Sequence, residues 1–307
     1  MKTISTFICL VFALSLSMAQ VPRVKRGTIQ QYANFSTQYI KPRNVDVWLP
    51  EGYSADKKYP VLYMNDGQML FDTTVNWNKS SWKVDQVISK LIDEHKIDEI
   101  IVVAIWNTGL ERHSEYCPQK PYENATTEEK IMLRNSIRNN GKGVFNNFEV
   151  KSDVYLKFIV EELKPFIDKK YATLSAKENT TIAGSSMGGL ISIYAICEYP
   201  EVFGKAACLS THWPVIFKMD NNPMPNLIFN YLKTHLPDSN THKIYMDYGD
   251  LTLDAIYPPL QPKVNEIMRE KGYNSENWIN KYFPGENHSE IAWSKRLDVP
   301  LIFLMGK

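Results

Sequence analysis

The sequence predicts an α/β fold in which a mostly parallel central sheet is flanked by helices. Three observations carry this. Residues 59–64 (Tyr-Pro-Val-Leu-Tyr-Met) and 99–105 (Glu-Ile-Ile-Val-Val-Ala-Ile) are near-continuous apolar runs, as expected of strands buried on both faces. Between them, Val84, Val87, Ile88, Leu91 and Ile92 occupy the i, i+3, i+4, i+7 and i+8 positions of one helix face. Further on, residues 180–183 form a short apolar strand that passes through Gly184-Ser185-Ser186-Met187-Gly188 into an apolar helix from Leu190. Strand and helix alternate, the signature of a wound parallel sheet.

Taken in order, the 307-residue chain opens with Lys2, an apolar run from Phe7 to Leu16, and the small-x-small end Ser17-Met18-Ala19. That is the form of a secretory signal peptide, with cleavage expected after Ala19. Cys9 lies inside the apolar run with too few residues upstream for a full signal, so a lipid-anchored cysteine is not expected. No other stretch approaches the ~20 apolar residues of a membrane span. Residues 20–307 suit a single α/β domain. Residues 20–43 have room for an edge hairpin, and residues 44–49 alternate as a strand does. From Trp106 to about Glu149 the pattern weakens. Residues 123–150 read as a polar, irregular insertion, either a lid over a site or a solvated excursion.

Residues 151–168 read as a helix with Leu156, Ile159, Val160, Leu163 and Ile167 on one face. Ser152 or Asp153 is its expected N-cap, and Pro165 should kink or end it. Strands are expected at 205–210, 243–248 and 278–283, a helix around 264–268, and a last helix after residue 288. Residues 299–305 are apolar but short and carry Pro300, so they read as a buried terminal segment. No repeat and no interdomain linker is visible.

Lysine and arginine number 35 against 34 aspartate and glutamate, a net charge of +1 that argues against a nucleic-acid surface. Past the signal, Cys117, Cys197 and Cys208 remain. An odd count leaves at least one free thiol, and Cys197 and Cys208 fall in apolar runs where buried thiols are expected. No His/Cys cluster has ligand spacing, so neither metal nor organic cofactor is expected.

Residues 184–188 fit G-x-S-x-G, which between a strand and a helix makes a nucleophile elbow. The residues two before and two after the nucleophile press close, so both favour glycine. Ser186 has Gly184 and Gly188 at those places, whereas Ser185 would have Ala183 and Met187. Ser186 is therefore the candidate nucleophile. An ordinary Gly/Ser turn would account for the same residues, but the downstream order favours the elbow.

A serine hydroxyl needs a base with a pKa near neutral and a carboxylate to orient that base. In the α/β-hydrolase fold the chain order is Ser, then Asp or Glu, then His. His288 follows the last expected strand and is the candidate base. His242 precedes a strand and His235 sits in a polar connector, while His212 reads as a pocket or structural residue beside Trp213. Asp250 and Asp254 share the loop after residues 243–248. Asp254 is preferred because it has more chain with which to reach back over the sheet edge, and Asp247 should pack inside its strand. The oxyanion hole needs two backbone N–H groups, assigned to Met187 and, in the Asp66-Gly67-Gln68 loop, to Gln68. Trp106, Tyr116, Trp213 and Tyr257 are candidates for an aromatic pocket, or plain core.

With these residues in view, the chain resembles the esterase D-like group of α/β-hydrolases. That group includes carbohydrate-esterase family 1 feruloyl and acetylxylan esterases, S-formylglutathione hydrolase and enterochelin-esterase-type enzymes. The resemblance rests on residues 61–68, residues 184–189, residues 198–204 and Asn287-His288, and it covers about residues 40–305. It implies a serine esterase acting on a small-molecule or carbohydrate ester. The acid loop differs from the short Gly-Thr-Asn-Asp form of feruloyl esterases, and residues 123–150 have no obvious counterpart. Export argues against the cytosolic S-formylglutathione reaction and leaves plant-wall acyl esters and siderophore lactones. Acyl transfer to an alcohol and a non-catalytic binding role are the remaining readings. Asn287-His288-Ser289 is also a glycosylation sequon. A glycan there would block the base, which favours a bacterial protein, periplasmic or secreted.

Overall fold

Strands β1 (Thr28–Phe35), β2 (Arg43–Leu49), β3 (Val61–Asn65), β4 (Ile101–Ile105), β5 (Thr180–Ser185), β6 (Lys205–Leu209), β7 (Lys243–Tyr248) and β8 (Trp278–Tyr282) form one sheet. Its order is β1-β2-β4-β3-β5-β6-β7-β8. This computed structural model describes residues 20–74, 76 and 78–307. The signal-peptide reading of residues 1–19 lies outside them. Strands β3 to β8 pair in parallel, while β1 with β2, and β2 with β4, pair antiparallel. Residues 20–43 hold β1 and not a whole hairpin; the edge hairpin is completed by β2, the strand expected at 44–49.

Every residue of β3 and β4 is buried, as their apolar runs require. Alternation sends Val61 and Tyr63 into the core on one face and Leu62 and Met64 into the core on the other. Helices α1 (Val84–Asp93), α7 (Met187–Glu198), α8 (Met224–His235), α9 (Gln261–Glu270), α10 (Glu290–Arg296) and α11 (Asp298–Met305) complete most of the layers. Eleven residues of α7 are buried, which explains an apolar stretch without a polar face. No helix among the described residues is long and apolar enough to cross a membrane.

Three expectations are corrected. Residues 123–150 are not wholly irregular, since they hold α4 (Thr127–Arg134), and the weakly patterned residues ahead of them hold α2 (Arg112–Tyr116) and α3 (Gln119–Glu123). These helices are too short to show a hydrophobic period, yet Tyr116, Cys117, Leu133, Val144 and Phe145 are fully or almost fully buried. A buried two-pronged pair, Arg43 to Glu115 at 2.9 and 2.7 Å, ties α2 to β2. The Thr126/Glu129 capping box that starts α4 was legible as T-x-x-E.

The helix expected over 151–168 is split into α5 (Ser152–Lys157), a π-helical turn (Phe158–Leu163) and α6 (Lys164–Lys170). The wider turn gives room ahead of Pro165, whose ring would clash with a carbonyl of a regular α-turn. Neither Ser152 nor Asp153 caps α5. Ser152 Oγ accepts from Gln119 N (2.9 Å), and Asp153 Oδ1 accepts from Tyr194 OH (2.7 Å). Residues 299–305 belong to α11 and are only partly buried: Pro300, Leu301 and Leu304 face inward, and Ile302 is exposed. Pro300 is tolerated because it sits in the first turn. Cys117, Cys197 and Cys208 are buried free thiols.

Candidate active site

The turn from β5 into α7 is sharply strained. Ser186 has φ 58° and ψ −123°, a conformation rare for any residue with a Cβ. A Cβ on Gly184 would lie 2.6 Å from the Gly188 backbone, and one on Gly188 would lie 3.1 Å from Asp66 Oδ2. Glycine is required at 184, and at 188 a side chain would have to push the Asp66 carboxylate aside. Ser186 N donates to Leu209 O (2.9 Å), and Ser186 O accepts from His212 N (3.2 Å). These bonds hold the residue in place although its backbone conformation is unfavourable.

Ser185 and Ser186 line a cleft of about 870 Å³ together with His288. The cleft opens where β3, β4, β5 and β8 end, the usual ligand position on a parallel sheet. His288 Nδ1 lies 2.5 Å from Asp254 Oδ1, and the ring stands edge-on to Trp293 at 4.9 Å. Asp254 is fully buried; its Oδ2 accepts from Ser210 Oγ (2.7 Å) and from Gly249 N (2.7 Å). Burial alone would push this carboxyl up. The hydrogen bonds from His288, Ser210 and Gly249 outweigh it and hold the group below its ordinary range.

Asp250 makes none of these contacts. Its Oδ2 accepts from Tyr282 OH (2.5 Å) and its Oδ1 from Gly285 N (2.8 Å), so it ties the turn after β8. Asp247 packs inside β7, as expected, against Arg296 at 2.9 Å. Arg296 Nη2 and Trp293 Nε1 also donate to Ser210 Oγ, at 2.9 and 3.0 Å. Ser210, Trp293 and Arg296 therefore support the Asp254 carboxylate from behind. Sequence reasoning missed all three, because no local pattern links residue 210 to residues 293 and 296.

Met187 N–H opens α7 directly after Ser186. Gln68 sits in a 3₁₀ turn (Gly67–Met69) after β3 and lines the cleft. A Cβ on Gly67 would lie 2.6 Å from Ala104 backbone, so this loop also needs its glycine. Arg112, another residue the sequence did not reveal, clamps the loop. Its Nε and Nη2 donate to Asp66 Oδ1 and Oδ2 at 2.7 and 2.5 Å, and Asn107 Nδ2 adds a third bond to Oδ1 at 2.7 Å.

The aromatic candidates Trp106, Tyr116, Trp213 and Tyr257, and His212 beside them, do not line the cleft. Trp213 is fully buried, donates from Nε1 to Gln261 Oε1 (3.1 Å) and packs edge-on to Phe229. Its N–H finds a buried partner, so the whole ring turns into the core. His212 is also buried, with Nδ1 2.9 Å from Tyr257 OH; burial, with repulsion from His288 and Arg112, pushes its pKa down to about 3. Tyr116 and Tyr257 are core residues. Trp106 turns away from the cleft and donates from Nε1 to Asp46 Oδ2 (2.6 Å). The cleft is walled instead by Trp82, Trp293, Met69 and Leu110, with Arg112, Arg138 and Lys142 among its polar lining.

The Trp106 contact leads to a stability prediction. Asp46 is fully buried, and burial pushes its carboxyl up to about 6 despite bonds from Gln31 and Trp106. A folded-state pKa above the unfolded value makes the ionised group a cost above about pH 6, and the cost fades as pH falls toward the ordinary carboxylate range. Asp46→Asn should gain on the native protein by ~2 kcal/mol as pH rises from 4 to 7. Urea unfolding at both pH values checks this; an unchanged difference would refute it.

Among known proteins, the family described as "Putative esterase" matches residues 36–133 and 136–302. An endo-1,4-beta-xylanase/feruloyl esterase of Xylanibacter ruminicola is 28% identical over 287 residues, covering 90% of this chain and 31% of that longer protein. The fold is similar to an IroE-like serine hydrolase from Shewanella oneidensis, with TM-score 0.65 and 20% identity over 91% of this chain and 80% of that one. It is also similar to a CE1 ferulic acid esterase from Anaeromyces mucronatus, with TM-score 0.58 and 19% identity over 91% of this chain and 92% of that one.

Proposed function

The chain belongs to this esterase family of carboxylic ester hydrolases, and from that premise we propose an exported serine esterase acting through an acyl-enzyme on an acyl ester of a carbohydrate. The acyl group is of the feruloyl or acetyl type. Ser186 Oγ attacks the ester carbonyl carbon while His288 takes the hydroxyl proton. Asp254 holds the imidazole in the tautomer with Nδ1–H and stabilises the imidazolium that forms. The N–H groups of Met187 and Gln68 receive the oxyanion. The tetrahedral intermediate collapses, His288 protonates the departing alcohol oxygen, and Ser186 keeps the acyl group. Water then attacks with His288 again as base, which releases the acid and restores the serine.

The observation that carries this reading is the 2.5 Å contact of His288 with Asp254 beside a strained Ser186 on one cleft. The substrate class is supported by the feruloyl esterase activity in the name of the Xylanibacter ruminicola relative. Export is supported by the signal-like residues 1–19, and residues 20–307 then form the working domain.

The test is a small ester panel given to the protein beginning at Gln20, with a fluorophosphonate to label the nucleophile. The panel holds 4-nitrophenyl acetate, methyl ferulate, acetylated xylan and a catecholate trilactone. The expected result is turnover of methyl ferulate or acetylated xylan, with the label on Ser186. Preference for the trilactone would replace the substrate class. No turnover and no label would overturn the hydrolase reading.

A further inference from the structure

We propose that the cleft takes an ester that also carries a carboxylate, gripped by Arg138 and Lys142 on the wall between α4 and α5. The inference rests on the serine-hydrolase reading of the same cleft.

Three basic side chains line the cleft, Arg112, Arg138 and Lys142, against two carboxylates, Asp66 and Glu290. Arg112 and Asp66 satisfy one another through the two-pronged pair. Glu290 accepts from Asn78 Nδ2 (2.8 Å) and follows His288 and Ser289 in the chain. Arg138 and Lys142 are left. Among the described residues neither has a carboxylate within ion-pair distance, whereas the nearby Arg134, Lys151 and Lys41 are each paired with a glutamate.

Arg138 is not a loose surface side chain. Its Nη2 donates to His113 Nδ1 (2.9 Å) and to Val144 O (3.1 Å), and its guanidinium lies over the Phe217 ring at 5.5 Å. All three partners are uncharged. His113 is buried, and burial together with Arg138 and Arg112 holds its pKa well below the ordinary value, so it accepts as a neutral ring. Burial and the neighbouring Arg112 also lower the pKa of Arg138 itself. A half-buried guanidinium held by neutral groups has a fixed position, an uncompensated charge and further N–H donors to offer. A carboxylate matches its fork geometry and supplies the missing charge. Lys142 brings a second cation, and Asn140 and Asn146 bring amides, to the same wall. The excess of one positive charge over the lining as a whole suits a singly charged ligand. The carboxylate can belong to the acyl part or to the alcohol part of the ester.

Two ester pairs of matched shape separate these sources and test the idea. Phenyl hydrogen adipate against methyl phenyl adipate places the charge on the acyl side. 4-Acetoxybenzoate against its methyl ester places it on the leaving side. The expected result is that the anionic member of one pair has kcat/KM at least about tenfold higher, with the preference shrinking as salt is raised from 20 to 500 mM. Arg138→Gln and, separately, Lys142→Gln should each narrow the ratio, and Arg138→Lys should retain part of it. Lys142 is exposed, so its variant reports even if Arg138→Gln fails to fold. If the neutral esters are hydrolysed and the ratio is at or below one in both pairs, the anion site is wrong while the hydrolase stands. If no ester is hydrolysed and a fluorophosphonate leaves Ser186 unlabelled, both readings fall.

Discussion

Ser186→Ala should leave a folded protein whose ester turnover is about 10⁴- to 10⁶-fold lower, the loss expected when the nucleophile of a serine hydrolase is removed. The fold should hardly notice. The bonds from Ser186 N to Leu209 O, and from His212 N and Leu190 N to Ser186 O, are all backbone bonds that alanine keeps. Stability should stay within ~0.5 kcal/mol of native. Ser186→Gly gives an internal control, because φ 58° with ψ −123° disfavours any Cβ. The glycine variant should be as inactive as the alanine variant yet more stable by ~1 kcal/mol. Kinetics on the preferred ester and urea unfolding of the three proteins check both halves. Retained turnover in Ser186→Ala would refute the assignment of the nucleophile.

Asp254→Asn should lower kcat by about 10⁴-fold, because an amide facing His288 Nδ1 no longer enforces the tautomer in which Nδ1 carries the proton. Asp250→Asn should stay within a few-fold of native, since the Asp250 side chain bonds Tyr282 OH and Gly285 N and not His288. The same pair of variants carries a pH signature. The Asp254 carboxyl lies below its ordinary range when folded, so its ionisation stabilises the fold above the unfolded carboxylate pKa. That contribution is lost as pH falls through the folded value. The destabilisation by Asp254→Asn should therefore be larger at pH 7 than near pH 3, opposite in sign to the change at Asp46. Equal activity loss in Asp250→Asn and Asp254→Asn would undo the choice between the two aspartates.

The choice of Asp254 over Asp250 rested on loop length alone, and the structure supplies a different distinction. Asp250 is turned outward to the β8 turn, while Asp254 is fully buried and bonded to three partners, from residues 210, 249 and 288. The pocket aromatics went the other way. Trp213 and Tyr257 stand in stretches that look like site loops, but each finds a buried hydrogen-bond partner, Gln261 and His212, and closes into the core. A partner nearly fifty residues away is not visible in a local pattern.

What the sequence determined by itself is what period and local sterics encode. Continuous apolar runs made β3 and β4 buried strands, a 3.6-residue period made α1, and Gly184 and Gly188 marked the tight turn around Ser186. Those signals are short-range, so they survive in one dimension. Which charges meet is set by the folded chain as a whole. Arg112 clamps Asp66 across 46 residues, Arg43 meets Glu115 across 72, and Arg296 meets Asp247 across 49. Residues 106–150, the Thr126/Glu129 cap apart, were unreadable for the same reason. Their helices are held by non-local ion pairs and scattered apolar anchors, and such contacts form only once the sheet has brought distant strand ends together.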